Sequence, residues 1–169
     1  MKIIFIDGYN VINSWPTLKK IKDFSYESAR QQLIDTLQNY ASFNLCKVVV
    51  VFDAHKVGGN MEKRDEFEYI TVIFTKDGET ADAYIEKTVN NIGKKVEVVV
   101  VTSDWLEQQT IFQRGAVRMS SIEFYHEVIK VEAKIRKNTE KSSIGNKNLL
   151  EDSLDKNILE KLEKIRRSH

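Results

Sequence analysis

The chain of 169 residues carries 26 lysines and arginines against 25 aspartates and glutamates, for a formal net charge of +1, with 41% apolar and 30% charged residues. That length suits one domain with a real core rather than two, and a near-neutral balance demands no polyanionic partner, so a nucleic-acid ligand would need a local basic patch. Cys46 is the single cysteine and cannot close an intramolecular disulfide. Met1 leads straight into a short strand rather than a leader, and no apolar run nears the roughly 18 residues of a membrane span, so the expectation is a cytoplasmic protein without membrane contact.

In chain order, KIIFI (Lys2 to Ile6), KVVVVF (Lys47 to Phe52), YITVIF (Tyr69 to Phe74) and VEVVVV (Val96 to Val101) are β-branched and apolar on successive residues. Strands apolar on both faces belong in a covered, mostly parallel sheet. Between them, Tyr26, Ala29, Leu33, Leu37 and Tyr40 recur at helical spacing, and Ala81, Tyr84, Ile85 and Val89 do so after the third strand. WLEQQTIFQRG (Trp105 to Gly115) is a further helix with a glycine cap, AVRM (Ala116 to Met119) a short fifth strand, and Ser120 with Glu123 a capping box opening the next helix. The pattern predicts a three-layer α/β domain. Residues 138–148, NTEKSSIGNKN, lack periodicity and read as a linker. Beyond them Leu150, Leu154, Ile158, Leu162 and Ile165 form an apolar stripe on a helix ending in KIRRSH. Such a stripe is expected to dock on the parent domain, with a partner-binding arm as the alternative.

An open parallel sheet binds its ligand outside the carboxyl ends of its strands. Asp7 follows the first strand, Asp53 the second, Glu79 and Asp82 open the helix after the third, and Asp104 follows the fourth. Each alone could be a helix cap or first-turn acid. As a set, converging carboxylates repel unless a cation shares the site, and Mg2+ or Mn2+ suits such hard oxygen donors. This is a site for phosphodiester hydrolysis, in which metal-oriented water needs no covalent nucleophile. Rival chemistries lack their residues: there is no G-x-x-x-x-G-K-[ST] or G-x-G-x-x-G loop, and His55, His126 and His169 have no zinc-ligand spacing. Tyr9 stands where an aspartyl phosphatase would carry its second aspartate.

Asn10 could orient a water or phosphate, or simply close its loop. Thr102 and Ser103 could bond a phosphate or cap the next helix. Tyr9, Trp15 and His55 are candidate base-stacking rings, although Trp15, beside Pro16, suits the core. In HKVGGNMEKR (His55 to Arg64), paired glycines mark a loop whose Lys56, Lys63 and Arg64 could grip phosphates or ribosomal RNA, unless the segment is an ordinary solvated hairpin or loop.

FIDGYNVI (Phe5 to Ile12), VVFDAH (Val50 to His55), FTKDGETADAYIE (Phe74 to Glu86), VTSDWLEQ (Val101 to Gln108) and GAVRMSSIEF (Gly115 to Phe124) together resemble the YacP-like branch of the NYN-domain ribonucleases, relatives of the PIN-domain nucleases. Each motif is weak, but their order and spacing are specific. The resemblance spans residues 1–137 and leaves 138–169 as linker and amphipathic helix. It implies a PIN-like fold, metal-dependent RNA cleavage at Asp7, Asp82 and Asp104 with Glu79 beside them, and messenger RNA cut at the A site of the 70S ribosome. The alternatives are a nuclease for transfer or ribosomal RNA, and a noncatalytic RNA- or ribosome-binding module.

Overall fold

A computed structural model describes residues 1–54, 61–103 and 115–167, the side chains of 148–157 and 159 excepted. The strands are β1 (Lys2–Asp7), β2 (Lys47–Phe52), β3 (Lys63–Glu66), β4 (Ile70–Phe74), β5 (Glu97–Val101) and β6 (Val117–Met119). They form one sheet in the order β3-β4-β2-β1-β5-β6, parallel throughout except for the β3–β4 pair. The chain runs outward from β1 through β2 to β4, then returns to place β5 on the other side of β1. The order in which strands are added therefore reverses between β1 and β5, where open α/β sheets hold their ligands.

Helices α1 (Gly8–Ser14), α2 (Pro16–Lys22) and α3 (Tyr26–Asn44) connect β1 to β2, α4 (Ala81–Asn91) connects β4 to β5, and α5 (Ser121–Arg167) follows β6. Side chains alternate across a strand, which separates two cores. Phe5, Val51, Ile73, Val98 and Val100 pack with Ala81, Tyr84, Ile85 and Val89 of α4. Leu33, Leu37 and Tyr40 of α3 are buried in the layer that also holds Trp15 and Phe124, with Phe124 5.2 Å from the Tyr40 ring and 5.9 Å from Trp15. Each such buried side chain contributes about 1.5–3 kcal/mol. Both predicted helical stripes are thus the buried faces of α3 and α4, apart from the half-exposed Tyr26. Asp7 lies two residues past Phe5 in the same strand and so belongs to the α4 face.

The structure departs from the sequence reading in two places. Lys63 and Arg64, expected in a loop, lie in edge strand β3, paired antiparallel with β4. KRDE has no apolar alternation to announce a strand, and its charges suit an edge that must not recruit other strands. Residues 138–148, expected as a linker, are helical within α5. No proline interrupts them, one interior glycine costs only about 1 kcal/mol, and the Thr139 hydroxyl donates to the Ile135 carbonyl at 2.9 Å. In the stripe, Ile158, Leu162 and Ile165 are 53%, 58% and 60% exposed. The chain divides into two compact units, Met1–Val131 and Glu132–His169. The helix expected over 105–114 lies outside the described residues; Gly115, its expected cap, has φ +83°. No described helix is long and apolar enough to cross a membrane.

Candidate active site

Strand register brings the expected residues to one edge. Asp7 pairs with Val51, Ile6 with Val101, and Phe52 with Phe74, so Asp7, Asp53, Thr75 and Thr102 all stand where parallel strands end. Asp7 ends β1 and caps α1, its Oδ1 accepting from the Asn10 backbone N–H at 3.2 Å. Gly8 lets the chain pass close to Phe52 there: a Cβ on it would lie 2.2 Å from Phe52 Cε1.

At the start of α4 the cap is Thr80, whose hydroxyl accepts from the Ala83 N–H at 3.2 Å. Asp82 is therefore not needed as the cap. Its Oδ1 and Glu79 Oε2 are buried and have no hydrogen-bond partner among the described residues, while Glu79 Oε1 accepts from Lys87 Nζ at 2.8 Å. The loop carrying Glu79 is held by Thr75, fully buried, whose hydroxyl donates to the Glu79 carbonyl at 2.7 Å and accepts from the Ala54 N–H at 3.1 Å. One threonine thus ties the exit of β2 to the acid-bearing turn after β4. A buried carboxylate oxygen without a donor costs roughly 1–3 kcal/mol or more, and a cation is what offsets it. These donors fit Mg2+ or Mn2+, which take hard oxygen ligands. Among the described residues no three His, Cys, Asp or Glu side chains group to hold an ion; Asp104, the remaining expected ligand, lies outside the described residues, as do His55 and Lys56.

Asn10 is held on three sides. Its backbone N–H meets Asp7, its carbonyl accepts from the Ser14 hydroxyl at 2.6 Å, and its Oδ1 lies against Ser121 Oγ, which in turn lies 3.2 Å from Ser103 Oγ. Ser103 therefore spends its hydroxyl on α5. Trp15 is 2% exposed and donates its Nε1–H to the Ser121 carbonyl at 2.9 Å, which makes it a core residue.

Of the RNA-contact expectations, the one on Tyr9 needs correction. Tyr9 is 5% exposed, edge-on to Phe52 at 5.2 Å and Tyr26 at 5.9 Å, so its ring offers no face to a base. Burial pushes its phenol above the ordinary value; Arg30, donating to the Tyr9 hydroxyl at 3.3 Å, opposes this, and Asp53 adds to it. Lys63 and Arg64 are exposed but engaged by their neighbours, Lys63 with Asp65 at 3.5 Å and Arg64 with Glu66 at 2.8 Å. The sequence reading passed over Arg30, Thr75 and Ser121. Arg30 did leave a signal, because it interrupts the Tyr26, Leu33, Leu37 row at helical spacing.

The YacP-like NYN domain matches residues 4–167. The chain is 42% identical to protein YacP of Bacillus subtilis (strain 168) over 170 residues, 99% of this chain and 98% of that one. Its fold is similar to the crystal structure of Rae1 (YacP) from Bacillus subtilis, with TM-score 0.76 at 40% identity over 99% of this chain and 95% of that chain. A tryptophan-to-leucine variant of that protein matches with TM-score 0.73 at 40% identity, over 85% and 84% of the two chains. With its acids gathered at the carboxyl edge of a sheet that such relatives share, this chain belongs to the YacP-like NYN domain family of nucleases.

Proposed function

We propose that the chain is a divalent-metal-dependent endoribonuclease that cuts messenger RNA in association with the translating ribosome, at the A site. The observation that carries the catalytic half is the pair of buried carboxylate oxygens, Glu79 Oε2 and Asp82 Oδ1, with no hydrogen-bond partner among the described residues, on the sheet face that also bears Asp7. Asp7, Glu79, Asp82 and Asp104 would hold the metal, which supplies a lowered water pKa and countercharge to the phosphate. The chain's own groups do the rest. Asn10 offers a fixed amide to a phosphate oxygen. Arg30, half-buried on α3 with its guanidinium at the Tyr9 hydroxyl, supplies the cation that an acidic edge needs to accept a polyanion. The ribosomal half is supported by the resemblance of the motifs to the YacP-like branch.

The test is cosedimentation with ribosomes and mapping of cut sites in the associated messages, with the parent chain and Asp7→Asn. Cuts within messages that require Mg2+ or Mn2+ and vanish in a folded, still cosedimenting Asp7→Asn variant are expected. Cosedimentation without cleavage in either metal would make the chain a binding module; cleavage confined to transfer or ribosomal RNA would move the substrate.

A further inference from the structure

Ser121 is fully buried at the start of α5, where three parts of the chain meet. Its carbonyl anchors Trp15, and its hydroxyl lies 2.5 Å from Asn10 Oδ1 and 3.2 Å from Ser103 Oγ. A serine hydroxyl has one proton to give. A separation of 2.5 Å suits an O–H···O bond and is too short for N–H···O, so Ser121 donates to Asn10 Oδ1 and accepts from Ser103.

That direction settles the amide. Its oxygen is turned to Ser121, which leaves the NH2 group, two donors and no acceptor. Among the described residues none accepts from that NH2. The backbone of Asn10 is fixed as well, by Asp7 on its N–H and Ser14 on its carbonyl. A reversed amide would present its oxygen instead, and an oxygen repels a phosphate.

We propose that Ser121 is a positioning residue that, by donating to Asn10 Oδ1, turns the Asn10 amide so that its NH2 donates to a phosphate oxygen of bound RNA. This rests on the nuclease reading above. A neutral donor held in place adds stabilisation where charge builds without needing to reorganise. The signal in the sequence was hidden, because Ser120 and Ser121 adjoin in a capping box and only Ser120 serves it.

The experiment compares the parent, Ser121→Ala, Asn10→Ala and the double variant in single-turnover cleavage of a short RNA. Beside it, 15N spectra of the parent follow the Asn10 side-chain NH2 as a 2′-O-methyl RNA oligonucleotide is added. Ser121→Ala keeps the carbonyl that holds Trp15. Its rate is expected to fall roughly ten- to a hundredfold, the scale of a misplaced donor, with Mn2+ affinity unchanged. The double variant should be no slower than Asn10→Ala, because Ser121 acts through Asn10. In the parent, the Asn10 NH2 signals should shift on adding RNA. Parental rate in a folded Ser121→Ala, or losses that multiply in the double variant, would overturn the proposal. Cleavage by the parent with no NH2 shift would also overturn it while sparing the nuclease reading, and this outcome does not depend on any variant folding. An NH2 shift without cleavage in any divalent metal would sink the nuclease reading and leave the amide as an RNA contact.

Discussion

Lys87 Nζ lies 2.8 Å from Glu79 Oε1, while Glu79 Oε2 is buried without a hydrogen-bond partner among the described residues. One carboxylate is half committed to an ammonium on α4 and half open. The hydrogen bond to Glu79 raises the Lys87 pKa above its ordinary value, against partial desolvation, so the pair persists through neutral pH and loosens only as pH rises past that raised value. Lys87→Met is expected to leave Glu79 freer for a cation and tighten Mn2+ binding roughly two- to fivefold, the scale of an exposed ion pair. Calorimetric Mn2+ titration reads this; unchanged affinity would show that Glu79 is not a ligand.

Gly8 is required by close approach and not by a left-handed backbone, since among the described residues the positive-φ glycines are Gly78 and Gly115. Phe52, fully buried between Tyr9 at 5.2 Å and Phe74 at 5.4 Å, cannot yield to a methyl group. Gly8→Ala should cost about 1–3 kcal/mol in urea unfolding. Phe52→Leu in that background should recover part of the loss, and a fully stable Gly8→Ala would contradict the packing described.

The capping box at α5 makes stability depend on pH. Ser120 N–H donates to Glu123 Oε2 at 2.8 Å and Glu123 N–H to Ser120 Oγ at 3.1 Å. The backbone bond from Ser120, then its hydroxyl, holds Glu123 below its ordinary value. A depressed carboxylate stabilises the fold above its unfolded value and loses that contribution as pH falls through the folded one. Glu123→Gln should therefore melt below the parent at pH 7 and draw level with it only as pH falls through the depressed folded value, and Ser120→Ala should cost about 1 kcal/mol. A gap that persists in acid would locate the effect elsewhere.

Arg30 and the edge-strand cations can be ranked. Arg30→Gln should weaken RNA binding and lower the slope of log affinity against log salt by about one. Lys63→Gln and Arg64→Gln should do less, because Asp65 and Glu66 already engage those side chains. Fluorescence anisotropy over a KCl series separates them, and equal losses at all three would return the RNA contact to β3.

The exposed stripe of α5 yields a last expectation. Ile158→Glu with Leu162→Glu should leave the melting temperature unchanged, since both side chains are more than half exposed. Cosedimentation with ribosomes should fall if this face, flanked by Lys161, Lys164, Arg166 and Arg167, meets the partner. Parental cosedimentation would withdraw that role.

The sheet, and acids following its strands, are legible in the residues alone. Four of the six strands show as runs of valine, isoleucine and phenylalanine, because a parallel strand covered on both faces admits little else, and β6 shows only as the short segment AVRM. The α3 and α4 stripes and the Ser120–Glu123 box follow from local spacing, and the family from motifs in order. Edge strand β3 was hidden because its residues obey the needs of an edge and not of a core. The unbroken α5 was hidden because polar composition alone does not end a helix. The remainder depends on how the layers pack. It placed Tyr9 in the core instead of on the surface, closed Lys63 and Arg64 onto their neighbours, and brought Ser121 to Asn10 across 111 residues. Local patterns report what one segment buries; they cannot report which distant hydroxyl holds an amide, because that contact exists only once the layers have packed.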